Sequence, residues 1–576
     1  MWERLEKLRS ILTAHRSVPF FEDFSDYTKS LRPGDRFIFD ILGILIAIAG
    51  LAGIYGLEQS LLIVEPAYGG SLTEGDVGAP RFVNPLLALT DTDQDLSALT
   101  YAGLMGEGPD GTLIPVLAQG YTASPDGKTY TFILKSGLKF TDGTPITASD
   151  VVFTVNKAKD PALKSPQYLD WNTVTATAID ARTVQFTLTV PYAQFLQNTT
   201  LGILPQHLWQ NVTDDEFPFS NLEAQPVGDG PFVATNVTRD SGGAITHYDL
   251  AANTRYALGR PYLDAIHLLF YSDQSSLQDA VDSGKVESAY GVTGKHVLTA
   301  PYSRVFAIFF NAGQDSALTS QAVRQALSVA IDRSAIVKNV LGGYATPIIG
   351  PMPAGSPVPA LAIPASGTSI ASSTSILKAA GWTYATGTQN WQKSGTTLSV
   401  TLKTADVPEL KAIAEAVQTN WKQLGISTSL QLYAPVDLTS SVIQSRSFQA
   451  LLFGMVIGKG DDLYDFWDSK ENTYPGLNLT SYNNPKVDAL LAKVRTETDQ
   501  SARLQDLAQI NQLVAADYPA AFIESPDFVY VVPNDLKGVI LGEITAPADR
   551  FATVATWYRR TESVWPFLVS TDRQGS

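Results

Sequence analysis

Between Lys128 and Lys135 the chain alternates: Tyr130, Phe132 and Leu134 point one way, Thr129, Thr131 and Lys135 the other. A period of two predicts a half-buried strand, entered through the turn Ser124-Pro125-Asp126-Gly127. Asp142-Gly143 supplies a further turn, and Thr147 with Asp150 makes a T-x-x-D pair ahead of an apolar run, the signature of a capped helix start. Asp142 and Asp150, one on a turn and one at a helix start, therefore read as scaffold and not as an acid/base pair. Farther on, Val323, Ala326, Leu327, Ala330 and Ile331 recur on one helical face. Asp332 and Ser334 restart a second helix that Gly342-Gly343 ends. Residues 408–424 predict a helix closed by Gly425 and followed by an alternating strand, and residues 483–519 predict two helices broken near Thr496. The Pro-, Gly- and Ser-rich stretch 348–369 reads as a long surface loop.

One segment follows neither period. Residues 37–57 are apolar all round, with Asp40 their one charge. At about 1.5 Å per residue they reach roughly 30 Å, enough to cross a hydrocarbon core. Seven basic residues precede this run (Arg4, Lys7, Arg9, Arg16, Lys29, Arg32 and Arg36), and the next basic residue is Arg81. The positive-inside rule then leaves the N-terminus in the cytoplasm and everything after Leu57 outside, on a single-pass anchor. The leader is long and the apolar run exceeds a usual signal h-region, which favours an uncleaved anchor over a signal peptide. Residues 1–12 read as a short amphipathic helix.

A chain of 576 residues holds two to four packed units. Cysteine is absent, so disulfides, thiolate nucleophiles and cysteine metal sites are excluded. Residues 1–36 carry seven basic and six acidic side chains and the apolar run one aspartate, so the exported remainder bears the whole formal charge of -16. Such a surface repels phosphate backbones, and no nucleic-acid partner is expected. The five histidines (His15, His207, His247, His267 and His296) show no i,i+4 pairing, and no phosphate loop, nucleophile elbow or dinucleotide fingerprint occurs. Nothing calls for an enzyme, a cofactor or a metal.

Residues 451–476 differ from the rest. An apolar strand runs into a glycine-containing turn with Asp461, Asp462 and Asp465, followed by Tyr464, Phe466 and Trp467. Strand end, glycines, carboxylates and aromatics together suit the lip of a binding pocket; a solvated acidic loop with a core aromatic has the same composition.

Four blocks, in order, carry a resemblance. They are LTYAGLMGEGPDGTLIPVLAQGYTASPDGKTYTFILKSGLKFTDGTPITASDVVFTV, PVGDGPFVATNV, QAVRQALSVAIDRSAIVKNVLGGYATP and YNNPKVDALLAKVRTETDQSARLQDLAQINQLVAADYPAAF. With them the chain resembles the family 5 extracellular solute-binding proteins, the oligopeptide, dipeptide and nickel receptors of ABC importers. The resemblance implies an α/β, two-lobed periplasmic-binding-protein-like fold (type II, cluster C) with an extra inserted domain, here preceded by one transmembrane helix. By position, lobe I holds 66–104, 206–300 and 531–562, the inserted domain 105–205 and lobe II 301–530, with 58–65 a linker and 563–576 a tail. It implies a receptor that captures a solute, a peptide foremost, by hinge closure and delivers it to permease subunits without making or breaking a bond. Two alternatives remain open: an occupancy sensor signalling through the span, and a receptor for a non-peptide solute such as a nickel complex. The family's cleft strand matches around Phe309 and Asn311, and its second cleft segment around Phe453, Gly454 and Met455. Where peptide receptors carry tryptophan after the glycine, this chain has Met455. Where they carry an aspartate for the peptide amine, it has Gly458 or Lys459, with Asp461 and Asp462 displaced by two or three residues and Trp467 beyond.

Overall fold

The computed structural model describes residue 27 and residues 29–109, 111–363 and 370–566. The N-terminal amphipathic segment expected at 1–12 lies outside the described residues. The chain divides into two compact units, Met1–Pro66 with Thr561–Ser576, and Ala67–Arg560.

In the first unit a 29-residue helix, Pro33–Leu61, contains the apolar run and extends it at both ends. Its Phe37, Ile38, Leu42, Ile44, Ile46 and Leu51 side chains are exposed, and the stretch Pro33–Gly53 is long and apolar enough to cross a membrane, with none of it buried in protein. A helix apolar all round with its backbone bonded internally is the form that lipid tolerates. Strand Ile63–Ala67 pairs with strand Arg560–Val564 in a two-stranded ladder.

The second unit is built on a 12-stranded mixed sheet among the described residues. Strand Ala520–Val531 runs through its middle. Its first part pairs antiparallel with Arg304–Phe310, its second part with Ser288–Tyr290 and Val297–Pro301. To one side lie Ala450–Val456, Ser399–Ala405 and Ser427–Tyr433; to the other, Ser71–Val77, Ala265–Tyr271, Ile245–Ala252 and Phe232–Arg239. Parallel neighbours on both sides are joined through helices, as parallel pairing requires. One continuous strand thus belongs to both halves, each of which has its own apolar clusters.

A separate four-stranded antiparallel sheet holds Ala118–Ala123, Thr129–Leu134, Thr183–Leu188 and Val174–Ala178. Tyr130, Phe132 and Leu134 are buried in its core with Trp171, Phe186 and Phe195, as the alternation predicts. Helix Ala148–Ala158 covers this core. Asp150 Oδ2 accepts the Thr147 N–H and hydroxyl, each at 2.8 Å, and Oδ1 accepts the Gln206 N–H at 3.0 Å. Both oxygens are occupied by scaffold donors. The helices expected at 321–339, 408–424 and 483–519 form as Gln321–Val329, Arg333–Asn339, Pro408–Leu424, Pro485–Thr496 and Gln500–Asp517. Asp332 accepts the Ala335 N–H and caps the second of them. Gly425 ends the third in the left-handed region, where a Cβ would lie 2.4 Å from the Tyr384 ring.

Candidate functional site

In open α/β sheets ligands lie outside the carboxyl ends of parallel strands. Ser399–Ala405 runs parallel to both Ser427–Tyr433 and Ala450–Val456, so their carboxyl ends share one edge. The antiparallel register pairs Arg304 with Val456 there, and Phe310 with Ala450 at the far end. The loop after Val456 therefore leaves the sheet beside the start of strand Arg304–Phe310.

Several elements converge on that loop. The Ile457 N–H donates to the Ser303 carbonyl at 2.8 Å. Lys459 Nζ reaches Asp549 Oδ1 at 3.0 Å and also pairs with Glu107 Oε2. Burial works against the Lys459 charge, but Asp549 and Glu107 more than offset it and hold the ammonium above its ordinary range. Gly460, at φ +88°, passes so close to Gln194 that a Cβ would overlap its amide, and its carbonyl accepts from Arg503. Asp461, also at positive φ, is buried. Burial raises its carboxyl, with Ser356 and Arg503 acting in the opposite sense; Oδ2 accepts the Ser356 hydroxyl at 2.7 Å. Asp462 accepts the Tyr464 N–H and lies 3.2 Å from Arg495 Nε.

Of the remaining sequence-derived candidates, Phe453, Gly454 and Met455 directly precede Val456 at this edge, whereas Phe309 and Asn311 do not gather there. Phe309 lies toward the other end of its strand, about 17 Å from Arg304 at ~3.4 Å per residue, and Asn311 follows the strand's last residue, Phe310. Phe309 stacks on Trp467 with ring centroids 6.3 Å apart. Trp467 is fully buried and also packs on Phe522 and Tyr482. Met455 is buried in the same apolar cluster. Asn311 donates to the Arg446 carbonyl at 2.8 Å and accepts the Gly313 N–H, so its amide closes a turn. Phe453 is half-buried, and Gly454 lies flat against Phe306, where a Cβ would come within 2.8 Å of the ring.

Sequence reading passed over a second group at the same edge. The Arg304 guanidinium lies over the Tyr302 ring, 4.0 Å from its centroid, and its Nε has no hydrogen-bond partner. Tyr302 meets Phe528 edge-on, and Phe528 stacks on Tyr290, whose hydroxyl donates to Asp91 at 2.6 Å. Glu524, on the strand common to both halves, is fully buried and neither carboxyl oxygen has a partner. Burial, then Glu409 and Asp527, push its carboxyl up to about 8. No pattern in the sequence separates these residues from ordinary strand positions; only the pairing of Arg304–Phe310 with Ala520–Val531 brings them together. Aromatic faces, a guanidinium and unpartnered carboxyl oxygens can hold and orient a polar solute.

Comparison with known proteins fits this geometry. A family model described as bacterial extracellular solute-binding proteins, family 5 Middle, matches residues 112–475. The oligopeptide-binding protein AppA of Bacillus subtilis is 26% identical over 505 residues, covering 82% of this chain and 89% of its own. Protein XP55 of Streptomyces lividans is 26% identical over 486 residues, covering 81% and 86%. Among solved structures, the ABC transporter substrate-binding protein CtaP of Listeria monocytogenes superposes with a TM-score of 0.73 at 25% identity, over 85% of this chain and 99% of its own. AppA of Bacillus subtilis in complex with a nonapeptide gives 0.67 at 25% identity over 86% and 99%. NikZ of Campylobacter jejuni in complex with Ni(L-His), at 22% identity and a TM-score of 0.68, shares the fold. The sheet with its common central strand is the two-lobed α/β type II architecture of these binding proteins, and the chain belongs to the family 5 bacterial extracellular solute-binding proteins, receptors of ABC importers and not enzymes.

Proposed function

We propose that this chain is a membrane-anchored receptor that takes a peptide outside the cytoplasm, closes two lobes on it and presents the closed form to an ABC permease. Residues 37–57, within helix Pro33–Leu61, are the anchor, with residues 1–36 on the cytoplasmic side. The lobes follow the sequence boundaries: 66–104, 206–300 and 531–562 for lobe I, 105–205 for the inserted domain and 301–530 for lobe II. The observation that carries the reading is the Lys459 bridge. It links the loop of lobe II to Glu107 of the inserted domain and Asp549 of lobe I, next to a strand that both lobes share. A ligand that contacts both lobes only when they are closed shifts the population by its difference in affinity for the two states.

The ligand-facing set in this reading is Phe453, Gly454 and Asp462 with Tyr302, Arg304 and Glu524. Phe309, Asn311, Met455, Asp461 and Trp467 support it from within lobe II. Because Gly458 or Lys459 stands where the resemblance places an amine-binding aspartate, and neither offers a carboxylate, the ligand's amine does not bind there in this reading. Peptide-binding relatives over most of the chain support peptides as the solute class. Calorimetry of the full chain in detergent against pooled peptides of graded length is the test. Saturable one-to-one binding is expected. Binding confined to sugars or to metal–amino-acid complexes would replace the peptide assignment, and no binder in any class would defeat the receptor reading. Resistance of the chain to alkaline extraction from membranes checks the anchor.

A further inference from the structure

Along strand Ile245–Ala252, residues 247–249 alternate, so His247 and Asp249, two apart, share a face. The neighbouring antiparallel strand Ala265–Tyr271 sets His267 directly opposite Asp249. On the other side, Phe232–Arg239 sets Asn236 opposite Asp249. Four polar side chains from three strands therefore meet on one sheet face, and none belongs to the ligand-facing set. Asp249 Oδ1 lies 2.9 Å from His247 Nε2 and 2.6 Å from His267 Nδ1. Its Oδ2 accepts from Asn236 Nδ2 at 3.0 Å. The donor atoms His247 Nε2, Asp249 Oδ1 and His267 Nδ1 all lie within 4.8 Å of one another.

We propose that His247, Asp249 and His267 form a binding site for a divalent first-row transition ion, Zn²⁺ or Ni²⁺ in chemical class. Two imidazole nitrogens with one carboxylate oxygen suit such ions and not Ca²⁺ or Mg²⁺, which take oxygen ligands. Bonds of about 2.0–2.1 Å to a tetrahedral ion spread neighbouring donors to roughly 3.3 Å. The spacings of 2.9 and 2.6 Å from Asp249 Oδ1 therefore open, and the two imidazole nitrogens, within 4.8 Å of each other, settle to the same spacing, which these partly exposed side chains can do by rotation. His247 would ligate through Nε2 with its proton on Nδ1, and His267 through Nδ1 with its proton on Nε2. The hydrogen bond from His267 to Asp249 is exchanged for the bond to the ion, and His247 Nε2, which has no hydrogen-bond partner, gains one. Asn236 keeps the carboxylate oriented from behind, the part that outer partners play at metal sites. Three protein ligands at a half-exposed position leave the other coordination positions to water. The ion would pin the edge strand Phe232–Arg239, through Asn236 and Asp249, to its two inner neighbours.

The test uses the untagged full chain in detergent, stripped with a chelator and titrated with ZnCl₂ by calorimetry and with Co²⁺ by visible absorption. One ion per chain is expected, with ligand-field bands from Co²⁺. Asn236→Ala weakens binding roughly tenfold, His247→Ala with His267→Ala abolishes it, and His207→Ala leaves it unchanged. X-ray absorption of the zinc-loaded wild-type chain decides independently of any variant's folding, and two imidazoles in the shell are expected. A shell with one imidazole or none, undiminished binding by the double variant in folded form, or no binding by the wild type would each overturn the proposal.

Discussion

Asp549 and Arg550 are neighbours on one short helix, Pro547–Phe551, yet they serve two different charge clusters. Arg550 turns inward. It is fully buried, binds Asp95 Oδ1 at 2.9 Å and Glu74 Oε1 at 3.0 Å, and Tyr530 donates to the other Glu74 oxygen at 2.8 Å. Asp549 turns outward to Lys459, whose side chain keeps 21% of its exposure. The charges of the inward cluster, Glu74, Asp95 and Arg550, all fall in the segments proposed as lobe I, and every one of them has lost its water. The outward one joins loops that belong to different parts of the chain and is only partly buried, its side chains 9–21% exposed. A dry ion cluster commits its lobe to one arrangement, because breaking it leaves buried charges unpaired. A bridge that keeps access to water can rehydrate its charges when it opens, so it parts at smaller cost than a fully buried cluster. The closure proposed above requires rigidity within a lobe and a reversible link between lobes, and two adjacent residues would supply one each.

The comparison breaks most visibly at Arg550. Arg550→Met strands Glu74 and Asp95 and is expected to cost about 3–5 kcal/mol of unfolding free energy, read by denaturant titration; a loss under about 1 kcal/mol would mean that the cluster does not hold the lobe. Asp76 comes next. Burial, then Asp95, raise its carboxyl to about 9, and its Oδ2 has no partner. The folded chain thus holds a proton that the unfolded chain gives up near pH 4, so this group lowers stability progressively as pH rises from about 4 to about 9. Asp76→Asn removes that slope. Its stability relative to wild type should increase across this window and reach a gain of about 1–3 kcal/mol near pH 8; a parallel pair of stability–pH curves would refute the assignment.

At the bridge, Lys459→Met is expected to leave the melting temperature nearly unchanged while weakening ligand affinity about fivefold, the effect of losing roughly 1 kcal/mol from the closed state alone. Calorimetry with the ligand found above reads it, and small-angle scattering of the unliganded chain should show a more extended average. Equal affinity and equal scattering would remove the bridge from the closure mechanism. The smallest effect belongs to a pair on the surface. Asp142 lies 2.8 Å from His207 with both side chains about one-third exposed. Asp142→Asn should cost no more than about 0.5 kcal/mol and leave binding untouched; a loss of binding would give Asp142 a role beyond scaffold.

Much of the fold is legible in the periodicity of the chain. The strand at Thr129–Leu134, the capped helix after Thr147 and the paired helices after Asn484 depend on neighbours within a few residues, and periodicity reports those directly. The site is far less legible. Asp461 and Trp467 have the composition of a pocket lip, but one is bonded to Ser356 and the other is sealed among Phe309, Phe522 and Tyr482. Composition cannot tell a pocket aromatic from a core aromatic, since both need apolar surroundings. A faint signal exists for the histidine cluster in the alternation around His247 and Asp249, but His267 joins them only through strand register.

By itself, the order of residues determined an apolar span behind a basic leader, the local elements and the family, because each of these is written in short-range pattern or in contiguous blocks. The tertiary structure alone decided which charges meet. Lys459 stands 352 residues from Glu107 and 90 from Asp549, and Arg550 stands 476 from Glu74. Coulomb attraction acts over ångströms of space, and only the folded sheet, with one strand common to both lobes, converts those separations along the chain into contact.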